Sequence, residues 1–568
     1  MTSTSVEFDA IVVGSGVSGG WAAKELAEKG FKTLVLERGR PIQHGADYVG
    51  EHMPAWKRRF RGLPDRALIE KHYFQQARVP AFFDDTTVHY WHRDSDSAYI
   101  EDPTAPFDWK RAGVLGGRSI LWARQVNRWS DLDFTANARD GHGVDWPIRY
   151  ADIAPWYSHV ERFIGVSGSR EGLPHLPDGE FQKPMELNAA ELEVKRAVEQ
   201  GWRDRRVIIG RVAVLTEPIG ERMACHYCGP CQRGCSTGSY FSSLSSTLPA
   251  AERTGNLSVV TNAIVESLEH DETGKRITGV SVIDALTRNR TRFSARVVFL
   301  CASTVGSTQI LLNSRSERYP AGLANSSGVL GKYLMDHIYG VRIGGTLPGL
   351  TNLYTRGNRP NGMYVPRFRN LDDASPTLPF LRGYNFQGGA ERAGWREMAK
   401  KLEPAFGADF KNQLRQPGPW QAYLLGFGEM LPVAENSMHV DFKQRDQYGV
   451  PRVGFSVRYR DNEQRMIDDM LKEGTAMLRA AGATDIRQAR GLNLPGQAVH
   501  ELGTARMGRD PRTSVLNAFN QSHDLENLYV TDGACMASSS CVSPSLTYMA
   551  LTARAADHAA ARLKAGYL

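Results

Sequence analysis

Residues 8–19, FDAIVVGSGVSG, decide the fold of this chain. The first half is a short apolar run that predicts a buried strand. The second half carries the spacing G-x-G-x-x-G at Gly14, Gly16 and Gly19. The first glycine permits a tight turn, the second lets the backbone approach a pyrophosphate, and the third permits close packing of helix on strand. The segment therefore predicts a strand–turn–helix that binds a dinucleotide, although a purely structural glycine turn is the alternative.

The residues that follow complete a β-α-β unit. An Ala-rich helix is predicted over 18–29 and a second strand over 32–36, which together suit the edge of a parallel sheet. The second strand ends at Glu37, 18 residues after Gly19, where a carboxylate accepts hydrogen bonds from a ribose. That charge would repel a 2′-phosphate in spite of Arg38, so NADP is disfavoured. The motif alone does not separate FAD from NAD.

Composition excludes several classes of protein. The 568 residues are 41% hydrophobic and 23% charged, which is typical of a globular protein of several domains. A net charge of +7 over this length, without a nucleic-acid-binding motif, does not indicate nucleic acid as a partner. The basic run 57–61 predicts a solvated surface, with a docking patch for an acidic partner as the alternative.

Neither a transmembrane segment nor an export signal is evident. No apolar run approaches the ~18 residues of a membrane span. Residues 1–7 lack the charged and apolar regions of a signal peptide. We therefore expect a cytoplasmic protein, or one exported in the folded state on the signal of a partner.

Four of the seven cysteines lie within eleven residues, at Cys225, Cys228, Cys231 and Cys235. The spacing C-x2-C-x2-C-x3-C matches ferredoxin-type iron–sulfur ligation, although the Pro that usually follows the last Cys is lacking. Structural zinc normally uses two Cys pairs separated by a longer loop. An iron–sulfur cluster is the leading interpretation, and zinc and free or disulfide-forming thiols are the alternatives.

Further motifs carry a resemblance to a known family. Residues 111–119, RAGVLGGRS, resemble the first signature of the glucose–methanol–choline (GMC) family of FAD oxidoreductases, and 298–314 resemble its second. The segment Thr531-Asp532-Gly533 is similar to the family's contact with the ribityl–phosphate part of FAD, and 261–265 to the strand that meets the adenine. Together these matches span most of the chain apart from the divergent region 341–490.

The resemblance implies an α/β fold in which a Rossmann-like FAD-binding domain is interleaved with a substrate-binding domain on a mixed or antiparallel sheet. The FAD-binding domain is expected over 1–45, 105–135, 205–340 and 495–568, with a cysteine loop at 222–240, and the substrate and cap segments over 46–104, 136–204 and 341–494. The residues implied to contact FAD are Gly14, Ser15, Gly16, Gly19, Glu37, Arg38, Gly116, Gly117, Ser119, Val265, Asp532, Gly533 and Ser545. Leu121 stands where members with covalent flavin have a His, so we expect non-covalent FAD.

Two residues are candidates for the chemistry. His500, in HELGTARMG, resembles the family's H-x-x-G-T segment that carries the base for alcohol oxidation; a satisfied structural His is the alternative. The family's second active-site position, a His or Asn before a Pro, is Ser543 in this chain. A Ser before Pro544 is also typical of a helix N-cap, and the two interpretations carry equal weight.

The resemblance also sharpens the cysteine interpretation and the expected reaction. Catalytic subunits of bacterial cytochrome-linked sugar dehydrogenases hold a [3Fe-4S] cluster through C-x5-C-x3-C, which Cys225, Cys231 and Cys235 match. Cys228 is then supernumerary, or the fourth ligand of a [4Fe-4S] cluster.

The whole-chain pattern most resembles glucoside 3-dehydrogenase catalytic subunits. This implies oxidation of a C3 hydroxyl of hexoses or glycosides to a ketone, a small Tat-signal-bearing subunit, a c-type cytochrome and a periplasmic location by co-export. The alternatives are a glucose, gluconate or polyol dehydrogenase acting at another carbon, an oxidase that uses oxygen, and a non-catalytic electron-transfer module.

Overall fold

The chain combines parallel and antiparallel sheets with helices packed around them, which confirms the predicted α/β class. The computed structural model describes residues 8–372, 378–394, 398–399, 402, 406–491 and 494–568. The N-terminal stretch 1–7, considered above for an export signal, lies outside the described residues. Among the described helices, none has the length and apolar character needed to cross a bilayer.

The strands are β1 (Phe8–Val13), β2 (Thr33–Leu36), β3 (Val166–Ser167), β4 (Phe181–Gln182), β5 (Ile208–Ile209), β6 (Leu257–Val260), β7 (Ala263–His270), β8 (Ile277–Asp284), β9 (Arg290–Phe293), β10 (Ala295–Leu300), β11 (Ile338–Leu347), β12 (Met363–Val365), β13 (Tyr384–Arg392), β14 (Trp420–Gly428), β15 (Ser437–Arg445), β16 (Pro451–Ser456), β17 (Thr484–Ala489) and β18 (Leu528–Val530). The helices are α1 (Val17–Glu28), α2 (Arg66–His72), α3 (Asp131–Phe134), α4 (Ala136–Asp140), α5 (Tyr150–Ile164), α6 (Ala189–Gly201), α7 (Leu248–Glu252), α8 (Thr304–Asn313), α9 (Gly407–Arg415), α10 (Asp461–Ala480) and α11 (Ser545–Lys564).

A five-stranded parallel sheet, in the order β18-β10-β1-β2-β6, forms the first structural unit. Its central strand β1 is buried on both faces, as expected for a parallel sheet covered on both sides. Helices α1 and α11 cover one face through small side chains such as Ala22 and Ala556, which allow close approach. The predicted β-α-β unit is therefore confirmed, with boundaries shifted by at most a residue.

The glycine turn after β1 requires glycine at two of its positions. Gly14 has φ +94°, a conformation that L side chains rarely adopt. A Cβ at Gly19 would lie 1.9 Å from the carbonyl oxygen of Gly14. The loop and the first turn of α1 are consequently in backbone contact, which brings the N-terminus of α1 to the carboxyl ends of the strands.

The second unit is built on a six-stranded antiparallel sheet in the order β17-β11-β14-β13-β12-β5. Helix α10 packs on one face of this sheet through Met466, Met470 and Met477, all fully buried. The other face of the sheet looks toward the carboxyl ends of the parallel strands. Because β5 pairs with β12, Ile208–Ile209 belongs to the second sheet, although the expected domain division placed the FAD-binding segment from residue 205.

Tertiary packing decides the organisation at four further places. The runs 257–268 and 291–301 each have the sequence pattern of a single strand, but in the structure each is divided into two strands. At the first division Asn262 has φ +56°, which turns the chain out of the parallel sheet and into the three-stranded antiparallel sheet β7-β8-β9. Helix α5 packs against α11, and the β15–β16 hairpin packs against α8, so both contact the first unit.

Candidate active site

A cavity of about 510 Å³ runs from the glycine turn to the antiparallel sheet. Most of the residues expected to hold FAD line this one cavity, together with both candidates for the chemistry. They are Gly14, Ser15, Gly16, Glu37, Arg38, Gly117, Ser119, Val265, Asp532, Gly533 and Ser545, with His500 and Ser543. Gly19 and Gly116 are not on the cavity wall: Gly19 packs against Gly14, and Gly116 donates its N–H to Ser15 Oγ at 2.8 Å.

At the glycine end of the cavity, Glu37 stabilises the glycine turn through three hydrogen bonds. Its Oε2 accepts hydrogen bonds from Ser15 N at 3.0 Å and Ser15 Oγ at 2.5 Å, and its Oε1 accepts from Gly39 N at 2.6 Å. Burial raises the pKa of this carboxyl above its ordinary value. The carboxylate retains lone pairs for a further donor such as a ribose hydroxyl, because two carboxylate oxygens accept about four hydrogen bonds.

In the middle of the cavity the wall is backbone and small side chains. Gly117 has φ +52°, and a Cβ there would come within 3.5 Å of Gly16 Cα, so the two glycine segments lie side by side. A Cβ at Gly16 would meet nothing within 4 Å, because that position opens on the cavity. Ser119 Oγ donates to the carbonyl of Gly116 at 2.5 Å, which closes the turn.

Asp532 and the N-terminus of α11 form the wall near the carboxyl end of β18. Ser307 Oγ donates to Asp532 Oδ2 at 2.5 Å, and Ala534 N donates to Asp532 Oδ1 at 3.0 Å. Burial raises the pKa of this carboxyl to about 6. Helix α11 is 20 residues long and begins at Ser545 on the cavity wall, so the positive end of its dipole faces any group bound there.

The imidazole of His500 is held by a second, fully buried histidine. His500 Nδ1 lies 2.8 Å from His337 Nδ1, and the rings meet edge to face with their centroids 4.9 Å apart. The opposite nitrogen of His337, Nε2, lies 2.9 Å from the carbonyl of Ser540 and 3.2 Å from that of Ser539. Carbonyl oxygens only accept, so His337 carries its proton on Nε2 and its Nδ1 is an acceptor.

This chain of hydrogen bonds determines the tautomer of His500. Its Nδ1–H donates to His337, and its Nε2 is left without a proton. Burial lowers the pKa of His337 to about 4, so that ring remains a neutral acceptor at ordinary pH. Burial, His337 and Arg118 hold the pKa of His500 well below its usual range. Neutral His500 is thus a proton acceptor at the cavity.

The backbone around His500 is fixed by buried carboxylates. Asp336 accepts from Gly496 N at 2.7 Å, from Ala498 N at 3.1 Å and from His500 N at 3.1 Å. Burial and the nearby charge of Glu501 raise the pKa of Asp336 to about 7.

Glu501 forms a two-pronged ion pair with Arg118, at 3.0 and 2.6 Å. This pair links the segment after His500 to the first signature segment, so the candidate base and the cavity wall are connected through short, charge-assisted hydrogen bonds.

Ser543 lies at the cavity with 8% of its surface exposed. Helix α11 has Pro544 at its N-cap position and no side-chain cap. The hydroxyl of Ser543 has no hydrogen bond to any of the described residues, which argues against the N-cap interpretation.

The substrate side of the cavity was not evident from the sequence. Tyr339 on β11, Gln387 on β13, and Leu425 and Phe427 on β14 all reach the cavity. Leu425 pairs directly with Gln387 in the register, and Phe427 is two residues further along the same face. The alternation of strand residues was the available signal, but it does not indicate which face a strand turns toward a ligand.

His337, Arg124 and Gln125 were likewise missed as site residues. Arg124 and Gln125 follow the first signature by only a few positions and line the cavity. His337 precedes the first residue of β11, and only the tertiary fold brings it to His500, 163 positions away.

The cysteine loop packs, through Cys225 and Cys235, against the apolar cluster that includes Tyr240. Tyr240 OH donates to the carbonyl of Ile120 at 2.9 Å, and its ring lies under the guanidinium of the cavity residue Arg124. Burial and the neighbouring cysteines raise the pKa of Cys225 to about 11. All four thiols are free, and Cys225 Sγ accepts from Tyr227 N at 3.4 Å. Within the described part of the chain, however, no three His, Cys, Asp or Glu side chains are grouped closely enough to hold a metal ion.

Comparison with known proteins gives consistent results. A family model described as GMC oxidoreductase matches residues 9–339, and a C-terminal model with the same description matches residues 432–552. Together they cover more than half of the chain.

Two curated relatives match along nearly their whole length. The chain is 27% identical to 2-methyl-1,2-propanediol dehydrogenase from Mycolicibacterium austroafricanum, covering 99% of this chain and 97% of the relative. It is 25% identical to the fructose dehydrogenase large subunit from Gluconobacter japonicus, covering 100% of both. Among solved structures, pyridoxine 4-oxidase from Mesorbium loti shares the fold, with a TM-score of 0.58 at 15% identity over 97% of this chain and 98% of that one.

Proposed function

The chain belongs to the GMC oxidoreductase family, and from that membership we propose that it is a dehydrogenase that oxidises a secondary hydroxyl, at C3 of hexoses or glycosides, to a ketone. The family identifies it as an FAD-dependent oxidoreductase of sugar-like alcohols. The observation that carries the proposal is the unprotonated Nε2 of His500 in the cofactor cavity, which Tyr339 and Gln387 of the antiparallel sheet also line.

The residues present fit FAD. The cavity is lined at one end by Gly14 and Gly16 and by the positive N-terminus of α1, and a side chain at Gly16 would enter the space that a pyrophosphate needs. At the other end the N-terminus of α11 and Asp532 form the wall. FAD, when bound, supplies a two-electron acceptor for the hydride of the alcohol carbon.

The chain itself supplies the base. As the alcohol is oxidised, its hydroxyl proton passes to His500 Nε2, and the positive charge that forms on the ring is stabilised through Nδ1–H by His337. Ser543 lies on the same wall with its hydroxyl free for a substrate oxygen. Since burial depresses the pKa of His500, the base stays neutral and competent from alkaline pH down to a pH below 6.5, and activity falls on acidification past that depressed pKa.

One variant tests the base. His500→Ala is expected to reduce the rate of anaerobic flavin reduction by sugar by about 10²–10⁴-fold, with FAD still bound. The matched control is His52→Ala, because the side chain of His52 is 65% exposed and does not line the cavity. A near wild-type rate in His500→Ala would remove this residue from the mechanism.

The position oxidised is tested by the product. The proposal of C3 is supported by the whole-chain resemblance to glucoside 3-dehydrogenase catalytic subunits. Turnover of glucose and a methyl glucoside with an artificial acceptor, followed by NMR of the product, is expected to give the 3-keto sugars. A ketone or lactone at another carbon would identify one of the other sugar dehydrogenases, and stoichiometric hydrogen peroxide in air would identify an oxidase.

The second part of the proposal concerns residues 222–240, which we assign to an iron–sulfur cluster that carries electrons to a c-type cytochrome. Its support is chemical: four free thiols at ferredoxin spacing, one of them already accepting a backbone N–H. As placed, the thiols are not gathered around a common point, so binding of iron requires the loop to close on it.

Metal analysis and EPR test this assignment. Cys231→Ser is expected to lose iron and cytochrome reduction, while anaerobic reduction of flavin by sugar survives. Cys228→Ser distinguishes three cysteine ligands from four, because this variant retains iron if only Cys225, Cys231 and Cys235 are ligands. An oxidised [3Fe-4S] cluster is paramagnetic and an oxidised [4Fe-4S]²⁺ cluster is silent. Zinc without iron in the wild type would refute the assignment.

Partners and location complete the proposal. We assign the chain to a complex with a small Tat-signal-bearing subunit and a c-type cytochrome, exported together to the periplasm. The large-subunit designation of the fructose dehydrogenase relative supports a multi-subunit assembly. Fractionation of cells that express the chain with and without the small subunit tests this, since periplasmic activity is expected only when both are present.

A further inference from the structure

Arg124 is a buried arginine without a counter-charge on the cavity wall. Only 4% of its surface is exposed, and none of the ion pairs among the described residues includes it. Its Nε and Nη1 are buried and make no hydrogen bond to the described residues. Buried guanidinium groups are normally paired, because a buried hydrogen-bond donor without an acceptor destabilises the folded state. A ligand in the cavity is the natural partner.

The backbone at this position is also unusual. Arg124 has φ +62°, in the left-handed region that residues other than glycine rarely occupy and that is concentrated at functional sites. The ring of Tyr240 lies 4.6 Å from the guanidinium carbon and supports one face of the group. Tyr240 is itself held by the carbonyl of Ile120. The guanidinium is thus pre-positioned, with its edge left for hydrogen bonds.

The next residue offers the complementary group. Gln125 lines the same cavity, and its Oε1 is buried without a hydrogen-bond donor among the described residues. The side chain is confined beside Gly210, where a Cβ would come within 3.1 Å of both amide atoms. A single glycine opposite Gln125 therefore leaves just enough room for this amide.

The donors of Arg124 and the acceptor of Gln125 select the class of ligand. A carboxylate would satisfy the guanidinium but offers no hydrogen for Gln125. A hydroxyl group both donates and accepts, and two neighbouring hydroxyls match a planar fork of N–H groups together with a carbonyl oxygen.

We propose that Arg124 and Gln125 form the sugar-recognition subsite, in which the guanidinium donates to two adjacent hydroxyl oxygens of a neutral sugar and Gln125 accepts from one of them. The inference rests on the proposed function, since it concerns the same substrate, but it assigns recognition to residues outside the proton-transfer pair. Such a subsite would favour a polyol over an alcohol with a single hydroxyl.

The test compares substrates and variants. Arg124→Gln removes the charge and the fork, Arg124→Lys keeps the charge over Tyr240 but loses the fork, and Arg253→Gln at an exposed arginine is the control. The substrates are glucose, gluconate and 2-propanol, with flavin absorbance used to verify that each variant holds FAD. For Arg124→Gln we expect KM for glucose to rise about 10- to 100-fold, as for loss of charge-assisted hydrogen bonds, while kcat/KM for 2-propanol changes less than about twofold.

The outcomes separate the inference from the function on which it rests. An unchanged KM for glucose in both Arg124 variants, with normal wild-type turnover, overturns the subsite alone. A change in the flavin midpoint potential without a change in KM would place Arg124 against the flavin instead. A wild-type preference for gluconate that is lost in Arg124→Gln would identify a carboxylate site. If no sugar reduces the wild-type flavin, the proposed function itself fails, and with it the inference.

Discussion

Replacement of His337 tests how the base is prepared. His337→Leu removes the acceptor for His500 Nδ1–H, while His337→Asn, of nearly the same size and shape as Leu, retains an oxygen close to the position of Nδ1. The hydrogen bond becomes charge-assisted when His500 takes up a proton, and such bonds contribute about 1.5–3 kcal/mol. At about 1.4 kcal/mol per tenfold change, we expect His337→Leu to slow flavin reduction by about 10- to 150-fold. His337→Asn should recover most of that loss.

Anaerobic stopped-flow spectroscopy with saturating sugar, over a range of pH, measures the effect. In the wild type and in His337→Asn the rate should be independent of pH down to values well below 6.5, in keeping with the depressed pKa of His500. A purely structural role of His337 would lower the rates of both variants equally, together with FAD content. Equal rates in the Leu and Asn variants, or a wild-type rate in the Leu variant, would refute the tautomer argument.

Four further predictions concern the cofactor, the turn, Ser543 and acid stability. Acid precipitation should release yellow FAD into the supernatant, because Leu121 cannot form a flavin bond; colour in the pellet would contradict this. Gly19→Ala should abolish FAD binding, since the new Cβ would lie 1.9 Å from Gly14 O, and a holoenzyme with normal flavin content would disprove it. Ser543→Ala should leave the melting temperature unchanged but reduce flavin reduction about 5- to 10-fold, as for one lost hydrogen bond; the reverse pattern would restore the cap interpretation. The folded-state pKa of His337, about 4, lies below the ordinary 6.5 of the unfolded chain, so its contribution to stability is complete above pH 6.5 and is lost toward pH 4. Urea unfolding at pH 6.5 and 5 should show a loss about 2 kcal/mol larger in the wild type than in His337→Asn, and equal losses would contradict the assignment.

The sequence predicted those features whose causes are local. An apolar run of strand length, three glycines at the required spacing and an acidic residue at the next strand end were enough for the parallel β-α-β unit, because backbone conformation and side-chain period are properties of neighbouring residues.

Features that depend on which distant segments pair with each other were harder to predict from the sequence. The runs 257–268 and 291–301 are continuous in β propensity, yet each is divided between sheets, because pairing partners distant in sequence decide where a strand leaves one sheet for another. The pairing of Ile208–Ile209 with β12 was not predictable for the same reason: two residues carry too little pattern to indicate a partner strand.

The site shows the same division. The sequence by itself predicted the glycine turn, Glu37, His500 and Ser543 as site residues, because each stands in a short motif with a definite spacing, and the structure places all of them on one cavity. Only the tertiary structure placed His337 against His500 and left Arg124 unpaired on the cavity wall. A hydrogen bond between rings 163 residues apart, and the absence of a counter-ion around a buried cation among the described residues, are properties of three-dimensional surroundings, and a linear pattern does not contain them.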